Sequence, residues 1–293
     1  MDTAVIGCGY VGLRVAHKLA ALGHRVYAIR RSFPSSFQTQ ESGIVPLEID
    51  ITDPTQLERL PRTITFAVNA VSSSKRGAQV YRQVYLEATQ TLIKHLSKHS
   101  ECQHYVHVSS TSVYGQIDGN WVDEDAERNP QTETSRILVE TEDALLEAMS
   151  RRQFPATLLR VSGIYGPERG YLFQQFIQDK ATLIGDGGRL INMIHVDDLA
   201  AIIVHLLKQA PGRVFNVTDN APVTQHDFFQ WLSHRLGKPM PPPATADAIK
   251  QRKRAITNKK VSNKRLLAAT AYQLKYPTFR EGYEAEITHA LAG

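Results

Sequence analysis

The feature that most constrains this chain lies at its start. An apolar β-forming run, Thr3-Ala-Val-Ile6, passes directly into Gly7-Cys8-Gly9-Tyr10-Val11-Gly12. Apolar residues then recur at helical spacing through Val11, Val15, Ala16, Leu19, Ala20 and Leu22, until Gly23-His24 ends the segment. Strand, Gly-x-Gly-x-x-Gly turn and helix, in that order, form the context in which the motif binds a dinucleotide. Gly7 permits the tight turn, Gly9 lets backbone approach a pyrophosphate, and Gly12 lets the helix pack close to the strand. The helix start presents free N–H groups and a partial positive charge to the phosphates. All six residues from Gly7 to Gly12 are therefore cofactor-binding candidates.

The segments that follow read as further strands alternating with helices, and their carboxyl ends are where such sheets bind ligands. Arg25-Val-Tyr-Ala-Ile29 ends in Arg30-Arg31. An acidic residue at this point would accept hydrogen bonds from the ribose of NAD, whereas arginine accommodates the 2′-phosphate of NADP. The expected cofactor is therefore NADP, with NAD as the alternative if the arginines only face solvent. Ile44–Ile49 is a third strand ending in Asp50-Ile51, with Asp50 either near the adenine or capping the next helix. Thr63–Val68 is a fourth, and Asn69-Ala70-Val71-Ser72-Ser73 should run beside the cofactor. A helix is expected over Gln79–Lys98.

A fifth strand, Tyr105–Val108, delivers the hydroxyl cluster Ser109-Ser110-Thr111-Ser112, suited to bonding a substrate carbonyl or alcohol or simply to turning the chain. A helix over Glu133–Ser150 and a sixth strand over Phe154–Val161 follow; beyond Pro167 the alternation weakens, and two parts return to the sheet, Ile191–Asp198 with the helix Leu199–Leu207 and the strand Arg213–Val217. Residues 1–166, with 190–218 returning, form the expected dinucleotide-binding domain. Residues 167–189 and 219–293 form a smaller lobe.

At 293 residues, 42% hydrophobic and 22% charged, the chain has the composition of an ordinary globular protein. A net charge of +5 suits anionic ligands without demanding nucleic acid. Eight Lys/Arg residues and no acids fall between Lys250 and Arg265. Such a run usually marks a solvated face; holding a phosphate-bearing substrate through Lys253, Arg254 or Lys264 is the alternative. It lacks interleaved aromatics, so no nucleic-acid partner is expected. Cys8 and Cys102 have no metal-ligand spacing, and no metal is expected. With a core strand at the start and no membrane-length apolar run, the expected compartment is the cytoplasm, with no membrane partner.

Several motifs together resemble the extended short-chain dehydrogenase/reductases, the NAD-dependent epimerase/dehydratase family. They are Gly7–Gly12, Asp50, Asn69-Ala70, Ser109-Ser-Thr-Ser-Val-Tyr-Gly115, Leu159-Arg-Val-Ser-Gly-Ile-Tyr-Gly-Pro167 and His195-Val-Asp-Asp198, in family order. The resemblance implies an α/β fold: a Rossmann-type, doubly wound parallel sheet of about seven strands with a smaller C-terminal substrate lobe. It also implies a small carbonyl or nucleotide-sugar-type substrate and a catalytic Ser/Thr, Tyr and Lys. Ser110 matches the first position. Thr132 stands where the tyrosine belongs and Arg136 where the lysine belongs, so this is an atypical member. An aliphatic hydroxyl has no usable acidity near neutral pH, whereas Arg136 retains the charge to hold a ribose hydroxyl. Substitute proton donors are Tyr165, Tyr114, His195 and Glu133, although a core or turn role suits both tyrosines better. The two functions to separate are an oxidoreductase or epimerase-like enzyme with a non-standard acid/base, and an NADP-binding sensor without hydride transfer. A homodimer through the Gln79–Lys98 and Glu133–Ser150 helices is a further implication.

Overall fold

The computed structural model describes residues 1–34, 37, 43–73, 77–209, 212–247 and 257–292. Its centre is a parallel sheet of seven strands: β1 (Asp2–Ile6), β2 (Arg25–Arg30), β3 (Ile44–Glu48), β4 (Phe66–Asn69), β5 (His104–Ser110), β6 (Ala156–Val161) and β7 (Val214–Val217). Their spatial order is β7-β6-β5-β4-β1-β2-β3. The order reverses between β1 and β4, which in open α/β sheets creates the crevice for a ligand.

Burial follows topology. Thr3–Ile6 of β1, Val26–Ile29 of β2 and all of β6 are buried, as strands covered on both faces require. β3, an edge strand, buries only Ile44, then alternates half-buried and exposed positions and tolerates Pro46. The strands expected from sequence appear within a few residues of their predicted ends, the largest difference being a late start of β4 at Phe66.

Helix α1 (Tyr10–Ala21) buries Val11, Gly12, Val15, Ala16 and Leu19. It ends in a glycine cap: Gly23 adopts φ +81°, its N–H reaching Ala20 O while His24 N–H reaches Leu19 O. Residues 78–99 are helical throughout, with a π-helical segment at Arg82–Glu87.

The chain divides into two compact units. The first comprises Met1–Val113, Glu133–Arg160 and Leu199–Phe215, and the second Tyr114–Thr132, Val161–Asp198 and Asn216–Gly293. Residues 114–132, 161–166, 190–198 and 216–218, assigned from sequence to the dinucleotide domain, fall in the second unit, where Met193–His195 pairs with Gly163–Tyr165 instead of joining the central sheet. Trp121-Val122 there pairs with Lys260-Val261, and Asn216 N–H donates to Glu124 Oε1 at 2.7 Å. The second unit has its own aromatic core, including Tyr165, Phe176, Phe228, Phe229, Phe279 and Tyr283. Its helix Gln225–Leu236 starts at Thr224, whose Oγ1 accepts from Asp227 N, and stops at left-handed Gly237. Among the described residues no helix is long and apolar enough to cross a membrane.

Within the first unit, one buried polar group ties the helix Glu133–Arg152 to the sheet. Glu142 Oε2 accepts from Arg160 Nε at 3.0 Å and lies 2.9 Å from a terminal guanidinium nitrogen; its Oε1 accepts from Ser109 Oγ at 2.7 Å. Both charged side chains are almost fully buried. Removing one partner strands the other charge. Glu142→Ala is expected to lower the unfolding free energy by about 3–5 kcal/mol in urea titration. Replacing both residues by apolar side chains of similar volume should recover much of that; a loss under about 1 kcal/mol in the single variant would contradict the pairing.

Candidate cofactor site

The carboxyl ends of β1, β2, β3 and β4 surround a cavity of about 280 Å³. Gly7 and Gly9 line it from the first turn, Ile29, Arg30 and Arg31 from the end of β2, and Asp50 and Ile51 beyond β3. Val71, Ser72 and Ser73 close the side after β4, and Val80 and Val84 come from the helical stretch beyond.

The glycines do different work. Gly7 adopts φ +82°, and a Cβ there would stand 2.6 Å from the Val71 backbone. A Cβ on Gly12 would stand 2.4 Å from Gly7 O. Neither distance is possible for a side chain, so backbone packing alone demands both glycines. A Cβ on Gly9 would meet no atom nearer than 4.0 Å. Nothing within the protein requires Gly9 to be glycine, and it lines the cavity. It is also the N-cap of α1, which has no side-chain cap and no acidic residue in its first turn. The positive end of the helix dipole is thus left without a carboxylate from its own first turn. The turn is held by Ile29 O, which accepts from Gly7 and Cys8 N–H, each at 2.9 Å.

Arg30 and Arg31 both reach the cavity wall, Arg30 with its guanidinium 5.4 Å from the Phe33 ring centre. Asp50 lines the cavity, and its Oδ1 accepts from Thr52 N (3.0 Å) and Oγ1 (2.7 Å) in an Asx turn; it does not cap the short helix that follows, which begins only at Gln56.

Asn69 and Ala70 do not line the cavity. Asn69 is buried; its Nδ2 donates to the Tyr105 hydroxyl at 2.9 Å, and its Oδ1 accepts from Val71 N at 3.2 Å. It shapes the loop that presents Val71 rather than facing the cavity itself. Burial lowers the neighbouring His107 to about 4, so its ring is neutral in this network. Ser73 N donates to the Tyr85 hydroxyl at 3.1 Å, anchoring the far end of the same loop from the π-helical segment. π-helical insertions recur at functional sites. Val80 and Val84 were legible only as apolar helix positions, and Ser32 and Thr52, which also line the cavity, carried no sequence signal.

Cys8, Tyr10, Val11 and Gly12 belong to the turn and the first helical turn without lining the cavity. Ser110 ends β5 half-buried, its Oγ accepting from Ser112 N at 3.2 Å. Thr132 immediately precedes the helix Glu133–Arg152, with Glu133 and Arg136 exposed in its first turn.

Three of the four alternative proton donors, all but the exposed Glu133, make contacts within the fold. Tyr165 stacks on Tyr283 with ring centres 4.4 Å apart, and its hydroxyl points to Thr278 O at 3.5 Å. Burial raises that hydroxyl far above the ordinary tyrosine range, in keeping with a packing role. Tyr114 is buried and donates to Asn216 Oδ1 at 2.9 Å. His195 accepts from Asp197 N through Nδ1 and reaches Glu286 Oε1 through Nε2 at 3.3 Å. Of the basic run, residues 250–256, Lys253 and Arg254 among them, lie outside the described residues. Lys264 is exposed, and Arg265 pairs with Asp125.

A sequence model of the NAD-dependent epimerase/dehydratase family matches residues 4–218. The chain is 28% identical over 288 residues to the human epimerase family protein SDR39U1, covering 92% of this chain and 94% of that protein. It is 27% identical over 284 residues to Escherichia coli Protein YeeZ, covering 94% and 96%. A solved structure of a candidate NAD-dependent epimerase/dehydratase from Methylobacillus flagellatus is 34% identical, with TM-score 0.77 over 99% of this chain and 98% of that one. Human SDR39U1, solved with NADPH, superposes with TM-score 0.78 at 23% identity over 96% and 97%.

Burial holds both thiols high: Cys8 and Cys102 are each pushed up to about 12. At pH 8 the folded protein should therefore react with a thiol reagent roughly a thousandfold more slowly than unfolded chain does. Rapid labelling of either cysteine before unfolding would show that its burial is wrongly described.

Proposed function

The chain belongs to the NAD-dependent epimerase/dehydratase family, and on that premise we propose that its first unit binds NADP(H) and that the protein is an oxidoreductase or epimerase-like enzyme with a non-standard acid/base. The observation that carries the cofactor choice is the meeting of Arg30 and Arg31 with the glycine turn in one cavity. Gly9 and the start of α1 would hold the pyrophosphate, the arginines the 2′-phosphate, and Val71 to Ser73 the flank of the dinucleotide. When bound, the cofactor supplies hydride exchange with a small carbonyl or sugar-type substrate. Ser110 is the residue proposed to hydrogen-bond the reacting oxygen, and Arg136 to hold a ribose hydroxyl. Thr132 supplies no acid. The second unit is the proposed substrate lobe, the two long helices the proposed homodimer face, and the cytoplasm the proposed compartment.

The second reading, an NADP-binding sensor without hydride transfer, is favoured by the replacement of the family's Tyr and Lys by Thr132 and Arg136. The two share a cofactor and differ in turnover.

Fluorescence titration tests the cofactor. NADPH is expected to bind at least about tenfold more tightly than NADH, and Arg31→Ala to erase most of that difference. Gly9→Val should abolish binding, because its side chain would stand in the cavity at the start of α1. Equal affinity for both nucleotides would discard the 2′-phosphate assignment.

Turnover separates the two readings. With a panel of carbonyl and nucleotide-sugar substrates, NADPH oxidation is expected, and Ser110→Ala should reduce it by about 100-fold or more at unchanged NADPH affinity. Tyr165→Phe should leave it unchanged. Tight NADPH binding without turnover across the panel would favour the sensor.

A further inference from the structure

A cluster outside the cofactor site carries an inference of its own. Helix Ala88–His99 places His95 and His99 one turn apart on one face, with ring centres 5.0 Å apart. Across from them, Glu58 stands on the short helix Gln56–Arg59 with Oε1 3.8 Å from His95 Nδ1. One ligand atom from each of the three side chains lies within 4.8 Å of the others.

Packing fixes this triangle. Leu92 and Leu96 lie along the same stripe of the longer helix as the two histidines and are buried, as is Ile93, and Leu57, next to Glu58, is buried in the same apolar cluster. The two elements are therefore held together by the core, independently of the polar groups that they bring near one another. Rigid secondary structure is the scaffold on which ligand geometry survives. The site also lies in the last turn of its helix, where the carbonyl end of the dipole favours a cation. Arg62 opposes that preference, since its charge also reaches His95. Against it stand the Glu58 carboxylate and two imidazoles, a set of three donors.

We propose that Glu58, His95 and His99 form a binding site for a divalent transition ion of the zinc class, which bridges the Gln56–Arg59 segment to the helix Ala88–His99. Two imidazole nitrogens and one carboxylate oxygen suit Zn²⁺ or its neighbours and do not suit Mg²⁺ or Ca²⁺, which take oxygen donors. Glu58 is largely exposed, so solvent completes the coordination shell from the open side. The ion acts as a brace: it binds the folded first unit and not the unfolded chain, and so raises its stability. None of its ligands lines the cofactor cavity, so the proposal is independent of the nucleotide assignment.

The test uses the full chain, stripped with a chelator and titrated with Zn²⁺ against a chromogenic competitor. About one equivalent is expected to bind in competition, and the thermal midpoint to rise with Zn²⁺ and fall back on chelation, with Mg²⁺ inert. His99→Ala and Glu58→Gln alter exposed or half-buried positions. Each should weaken Zn²⁺ binding by at least about tenfold while leaving the metal-free midpoint nearly unchanged. His226→Ala, at an exposed histidine in the second unit, should change nothing. Zn²⁺ binding that survives both ligand variants, or no competition with the chromogenic chelator at all, would overturn the site.

Discussion

The close approach of the start of α1 to the turn after β1 is the contact on which the first unit depends. A side chain on Gly12 would collide with Gly7 O, and one on Gly7 with the Val71 backbone. These two glycines therefore lock three pieces of main chain together: the end of β1, the start of α1 and the loop after β4. Once they are locked, the helix N-terminus must face the crevice where the strand order reverses. Gly9, free of any such demand, is left facing the cavity with its helix uncapped. A requirement of backbone packing thus produces an anion-binding geometry without any dedicated side chain.

Around that lock the chain uses buried and half-buried polar groups for positioning. Asn69 shapes the loop that presents Val71, Tyr85 anchors Ser73, and Asp50 orders the turn beyond β3. Each is close to the cavity, and Asn69 and Tyr85 act on it through the backbone of another residue. A buried amide or hydroxyl whose bonds are all made within the protein gains nothing from a ligand and loses little without one. The cavity is therefore formed by the protein's own hydrogen bonds, as a largely preformed ligand site requires.

What was legible in the sequence was whatever depends on near neighbours. The Thr3–Ile6 run, the glycine spacing and the cap at Gly23 each signal themselves within a few residues, and the first six strands follow from alternation. The remainder depends on partners far along the chain. Nothing near Tyr165 announces Tyr283 or Thr278, and nothing near Asn69 announces Tyr105. The transfer of residues 114–132 to the second unit rests on contacts with Asn216 and Lys260-Val261, about a hundred residues or more away. The π-helical turn at Arg82–Glu87 has no local signature either, because its residues are ordinary helix formers.

The family motifs can survive together without the usual Tyr and Lys because most of them are structural. Tyr114 bonds Asn216, Arg160 pairs with Glu142, and Tyr165 stacks on Tyr283. Asp198 is fully buried and accepts from the Tyr272 hydroxyl and from the backbone N–H of Lys275 and Tyr276. Losing any of these would leave a buried polar group unpaired or a core cavity, at a cost comparable to a large part of a domain's stability. Arg136 is exposed and Thr132 lies half-buried just outside the helix, so neither sits in the core as those groups do. Folding pressure thus keeps the motifs while leaving the chemistry of those two positions open to change. Motif retention is accordingly strong support for the fold and for the shape of the cofactor cavity, and it is silent on proton transfer.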